Sequence, residues 1–259
     1  MTAGCDWGSR TLKLIGLGAI LPALMLAGCY DPPHTFPSQT PALPPSVRRG
    51  LGIDMPTDAS DVLNELKDAQ VEFVARYYRD PDSRWPALSP SEAQRLSSQG
   101  LKIVAVYEYH SPKPAHFSYE GGYSDALTAS GEARGVGQPV GSAIYFAADF
   151  HAQGDDLTSV VDYFRGINAG LATAGGGTAD YAVGVYGSGP VCGAVRGAGL
   201  ARYSWLSNSI TWDDGTDYED WNIMQGAPLP ELSFDNDSDQ ASNDYGAFEV
   251  APSTSENSH

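Results

Sequence analysis

Three apolar runs in this chain each stop on a carboxylate: Leu51-Gly52-Ile53 on Asp54, Leu101 to Tyr107 on Glu108, and Ala143 to Ala148 on Asp149. Short runs of this kind, rich in β-branched and aromatic residues, read as buried parallel strands. A charge at the tip of such a strand is costly unless it faces a polar cleft. Asp235, after Leu232-Ser233-Phe234, is a fourth acid of the same kind. Tyr77, Tyr186, Trp205 and Gln225 stand at the ends of the other strand candidates. Carboxylates bind sugar hydroxyls, aromatic rings stack on sugar faces, and a pair of carboxyls with separated pKa values is what glycosidic cleavage needs. Asp54, Glu108, Asp149 and Asp235 are therefore the catalytic candidates. Tyr77, Tyr186, Gln225, Trp205 and His151 are the substrate-binding candidates. Each acid alone is equally well read as a helix cap, a partner of loop amides or a solvated group. His151, two residues past Asp149, is most simply a loop histidine.

Acids at several strand tips meet only if the strands close on one mouth, as in a (β/α)₈ barrel. The pattern allows this. Strands are expected near 51–54, 71–77, 102–108, 143–149, 181–186, 202–206, 221–225 and 232–235. Helices are expected near 60–70, 123–135, 157–172 and 190–198, and another starts at Ser89-Pro90-Ser91-Glu92 and stops at Gly100. There Ser89 is the N-cap and Glu92 closes a capping box. Alternating β and α units predict a parallel sheet. Eight strands predict a compact α/β, TIM-like barrel with few helices in its C-terminal half. Asp54 and Asp235 are then neighbours across the barrel closure. No Gly-rich phosphate loop follows the first strand, no Gly-x-Ser-x-Gly elbow occurs, and no His-Glu-x-x-His or Cys-x-x-Cys motif occurs. No cofactor and no metal site is implied.

The barrel occupies residues 50–237. Residues 1–28 read as an export signal: Arg10 and Lys13 precede an uncharged apolar run from Leu14 to Met25, too short to span a membrane. The run closes on Leu26-Ala27-Gly28-Cys29, which looks like a bacterial lipobox. That resemblance implies cleavage before Cys29, lipidation of its thiol, and an exported protein held on a membrane of the cell envelope. Residues 29–49, with Pro32, Pro33, Pro37, Pro41, Pro44 and Pro45, read as an extended tether. Residues 238–259 read as an acidic, disordered tail. Without the signal the chain keeps 13 basic and 31 acidic residues, a net charge of −18. This disfavours nucleic acid and anionic lipid head groups as partners and is compatible with a neutral glycan, a cationic ligand or a divalent metal. Cys192 is then the one remaining thiol, without a disulfide partner, and reads as a small buried hydrophobe. A monomer is expected.

The ordered set Gly52-Ile53-Asp54, Arg76-Tyr77-Tyr78, Leu88-Ser89 with Glu92, Gly100-Leu101 and Val106-Tyr107-Glu108 resembles a known family. So do Ile144 to Asp149, Gly184-Val185-Tyr186-Gly187, Gln225-Gly226 and Asp235. It is the glycoside-hydrolase-like domain of unknown function 1906, which is similar to the family 25 lysozymes. The resemblance implies a TIM-like barrel with a glycan-directed acidic site. The lysozymes carry Asp-x-Glu at the fourth strand, the glutamate being the acid. This chain has Asp149-Phe150-His151 there. Three functions follow: a glycoside hydrolase acting on cell-wall or related glycan, a non-catalytic glycan-binding or envelope-scaffolding lipoprotein, and, more weakly, a divalent-metal-dependent hydrolase.

Overall fold

The computed structural model describes residues 50–80, 83–108, 114–208 and 217–252. The signal, Cys29 and the tether lie outside the described residues. Eight strands close a barrel in chain order: β1 Gly50–Asp54, β2 Phe73–Arg79, β3 Lys102–Glu108, β4 Ala143–Ala148, β5 Ala182–Gly187, β6 Tyr203–Leu206, β7 Ile223–Gln225 and β8 Asp237–Ala241. The first seven run parallel, and five helices pack outside: α1 Leu63–Asp68, α2 Pro90–Ser98, α3 Tyr119–Val136, α4 Asp155–Ala174 and α5 Gly189–Gly197. Among the described residues no helix follows β6 or β7.

The eighth strand corrects the expectation. Leu232-Ser233-Phe234 is a turn, and Asp235 is exposed before the strand. β8 is the polar stretch Asp-Ser-Asp-Gln-Ala, antiparallel to both β1 and β7. Asp54 pairs in register with Asp237, not Asp235. An antiparallel strand that alternates between faces needs no continuous apolar run, so the pattern that found the other strands passes over it.

The expected tail is also overturned as far as the described residues reach. Tyr245, Phe248 and Val250 are buried. Phe248 exchanges backbone hydrogen bonds with Ile103 at 2.8 and 2.9 Å, and Tyr145 Oη donates to the Tyr245 carbonyl at 2.9 Å. The stretch after β8 lies against the start of β3 and β4 and floors the barrel, opposite the strand tips. Gly246 turns it with φ +72° beside the Tyr203 ring.

Inward residues alternate along the strands: Phe73, Ala75 and Tyr77 on β2, Val104 and Val106 on β3, Tyr145 and Ala147 on β4, Tyr203 and Trp205 on β6. Gly52 and Gly184 face the rings of Phe73 and Tyr145, where a Cβ would collide. Large and small residues thus share the narrow interior. Outward residues of the same strands join the helices in a second, larger core. Cys192 belongs to it as expected, and burial pushes its thiol up to about 12.

α2 starts as its sequence predicts, with Ser89 Oγ accepting from the Glu92 amide at 3.1 Å. Glu92 does not close the capping box. Its carboxylate turns inward, wholly buried, and accepts from Arg76 Nε at 2.5 Å, Arg76 Nη2 at 3.2 Å and the Ala59 amide at 2.9 Å. Arg76 Nη1 reaches the Met55 carbonyl at 3.0 Å. Removing one member of a buried, fully bonded pair strands the other charge. Glu92→Ala is therefore expected to lower stability by about 3 kcal/mol in urea unfolding. A change near zero would mean that Arg76 finds another partner.

Candidate active site

The mouth is assembled from strand tips. Asp54 ends β1, is 6% exposed, and accepts hydrogen bonds from Tyr77 Oη at 3.1 Å and Gln225 Nε2 at 2.8 Å. The amide of Gln225 is held in that orientation because its Oε1 accepts from Tyr186 Oη at 3.1 Å and from the Asn208 amide at 3.2 Å. One chain of hydrogen bonds thus ties β1, β2, β5 and β7 across the barrel. Burial raises the Asp54 pKa to about 7. The two donors oppose the rise, and the charges of Asp237 and Glu108 add to it.

Glu108 ends β3, and Asp149 follows β4 directly. Both line one small cavity of about 40 Å³ with Tyr77, Val106, Ala147, Tyr186 and Trp205. The Tyr186 and Trp205 rings meet edge to face at 5.0 Å. Burial raises the Glu108 pKa, the Asp149 charge adds to the rise, and Arg79 opposes it. Burial also raises Asp149, although this acid is the most open of the three and solvent screens it most. Two acids in one cleft, of which Glu108 is the more buried and feels the charge of the other, can divide the proton donor and acceptor roles.

The structure therefore brings together Asp54, Tyr77, Glu108, Asp149, Tyr186, Trp205 and Gln225. It leaves Asp235 outside the strand, and His151 on an exposed loop with Nε2 2.7 Å from Gln153 Nε2. Three inward groups were missed. Asp237 and Asp239 sit on β8, and Arg79 ends β2, its guanidinium 3.9 Å from the Tyr77 ring centroid. Asp239 is fully buried between Gly52 and Gln225 in register, and neither of its oxygens has a hydrogen-bond partner. The nearby indole N–H of Trp205 also lacks a partner at normal geometry, but its dipole partly offsets the strong upward push of burial on Asp239. Counting by twos from Tyr77 would have found Arg79. Among the described residues, no three His, Cys, Asp or Glu side chains converge as metal ligands would.

A raised carboxyl pKa makes a signed prediction. The folded chain holds a proton on Asp54 that the unfolded chain has released, so unfolding free energy falls as pH rises from about 4 to about 7. The slope attributable to one group is at most about 1.4 kcal/mol per pH unit. Asp54→Asn should remove its share, which the difference between the wild-type and variant stability curves measures. Parallel curves would place the Asp54 pKa near its ordinary value.

The model of the Rv2525c-like, glycoside hydrolase-like domain matches residues 64–249. The uncharacterized protein FadG of Bacillus subtilis (strain 168) is 32% identical over 187 residues, which are 71% of this chain and 31% of FadG. This chain thus spans about a third of that relative. The Tat-secreted protein Rv2525c of Mycobacterium tuberculosis superposes with a TM-score of 0.65 at 22% identity, over 76% of this chain and 98% of Rv2525c. The modular autolysin LytC of Streptococcus pneumoniae shares the fold at a TM-score of 0.51 and 10% identity, over 74% of this chain and 46% of LytC. With most of its length under that domain, and with the barrel and mouth described above, the chain belongs to the Rv2525c-like, glycoside hydrolase-like family.

Proposed function

We propose that this protein is a glycoside hydrolase acting on cell-wall or related glycan at the barrel mouth. Glu108 is the proton donor and Asp149 the base or nucleophile. Asp54, held by Tyr77 and Gln225, shapes the field of the site. The observation that carries the reading is the placement of Glu108 and Asp149 on one cavity walled by Tyr77, Tyr186 and Trp205. Burial keeps a proton on Glu108 at higher pH than an exposed glutamate holds it, as a general acid requires. LytC, which shares the fold, has been solved with a synthetic peptidoglycan ligand. The test is release of soluble sugar from purified peptidoglycan and from a panel of polysaccharides.

The non-catalytic reading is favoured by one observation. His151 stands where the lysozymes carry their acid, and its side chain lies on an exposed loop outside the cavity. Glycan binding without any release across the panel would select that reading.

Export and lipid anchoring are part of the proposal and rest on Leu26-Ala27-Gly28-Cys29 after the apolar run. Several acyl chains hold a protein firmly, whereas one holds it weakly. Cys29→Ser should move the protein from the membrane fraction to the soluble one. Unchanged fractionation, with no lipid mass on the wild type, would rule the anchor out.

A further inference from the structure

Two arginines stand three residues apart on β2, and their surroundings differ sharply. Arg76 faces α2 and is satisfied on all three nitrogens by Glu92 and the Met55 carbonyl. Arg79 follows Tyr77 by two residues on β2, its guanidinium over the Tyr77 ring and beside Glu108, next to the cavity rather than on its wall. It is 8% exposed, yet its guanidinium makes one carboxylate contact, Nη1 to Glu108 Oε2 at 3.5 Å, at the long limit of a hydrogen bond. Its Nε is buried with no partner. Glu132 is close, but it takes the backbone amide of Arg79, at 2.9 Å. The Tyr77 ring beneath the guanidinium holds it in place.

A guanidinium is a planar fork built for a bidentate carboxylate, and it stays charged when buried. One long contact leaves most of that capacity unused. The contact is also with the residue that must carry a proton to act as the acid. Once Glu108 is protonated, it offers Arg79 no charge at all. The mouth is less anionic than its count of acids suggests, because burial raises Asp54 and Glu108 and leaves Asp149, the base, as the open charge. A neutral sugar can meet Arg79 only through hydroxyls. A sugar acid can meet it with the matching anion.

We propose that Arg79 is a specificity-determining residue of this mouth, and that the glycan it selects carries a free carboxylate. The inference rests on the glycan reading above and deepens it: the substrate class is an acidic polysaccharide. The ligand carboxylate takes both faces of the fork, displaces Glu108 from its long contact, and leaves that carboxyl free to keep its proton.

The test is calorimetric titration of the chain with a panel of hexuronate oligosaccharides and with the same oligosaccharides after reduction of their carboxyls to alcohols. The wild type should bind at least one hexuronate about tenfold or more tighter than its reduced form. Arg79→Gln should bring that ratio close to one by weakening the hexuronate alone, and Arg79→Lys should keep part of it. In the wild type the ratio should shrink as salt rises from about 0.05 to about 0.5 M, which tests the charge even where a variant does not fold. Equal binding of both forms by the wild type overturns the assignment and leaves the glycan reading standing. So does equal loss of both forms in a folded Arg79→Gln. No binding of either form across the panel overturns this inference and leaves the glycan reading to the sugar-release test above.

Discussion

Glu108→Gln is expected to lower glycan hydrolysis by about 10²–10⁴-fold, the range a general acid contributes. The substitution keeps the shape of the side chain and its place at the tip of β3, but glutamine has no proton to give a leaving group. The loss should fall mainly on kcat, because an interaction made only in the transition state is removed. His151→Ala should cost far less, since His151 faces Gln153 on an open loop and is absent from the cavity wall. The pair of variants ranks the two candidates for the role that the lysozyme glutamate fills. A larger loss in His151→Ala would mean that the loop closes over substrate and that the histidine is the acid.

Removing the chain from Ser242 onward is expected to leave a protein that does not fold. The deletion takes away Tyr245, Phe248 and Val250, all buried. At about 1.5–3 kcal/mol for each large apolar side chain, the loss is about 5–9 kcal/mol. That is as large as the whole stability of a typical domain. It also strips Tyr145 Oη of its acceptor and Ile103 of its backbone partner, each a polar group then left buried or newly wet. Circular dichroism and a melting curve check the result. A graded version is Gly246→Ala, which puts a methyl group into the Ala143 and Tyr203 side chains at φ +72°. It should lower stability by about 1–3 kcal/mol. A truncated chain that melts like the full one would show that the floor is dispensable.

Much of this architecture was legible. β3 stands where its apolar run predicts, and β4 and β5 fall within one residue at each end of theirs. Those strands are buried on both faces by rings and helices, so their sequence carries no alternation to confuse. The three acids of the mouth were legible for the same reason, each being the first charge after such a run. β8 was not. Its identity comes from ladders to β1 and β7, contacts remote in sequence, and its own residues look like a solvated loop. The acidic setting of Tyr245, Phe248 and Val250 likewise hid three apolar residues spaced to reach one floor. Arg79 was visible as a residue but not as a site. Its meaning depends on which face of β2 it takes and on how little Glu108 gives it.

The antiparallel β8 has a consequence for the order of events during synthesis. β1 is the first barrel strand to be made and β8 the last, yet they are neighbours. Until β8 is available, β1 and β7 both carry an unpaired edge, and the sheet between them is an open, ring-lined trough. Unpaired edges and exposed apolar faces are what other chains and proteases recognise. The stretch that closes the side of the barrel continues without a break into the one that floors it. A nascent chain therefore passes from vulnerable to protected in one late step, when residues 237–250 arrive, and no shorter intermediate is a finished barrel.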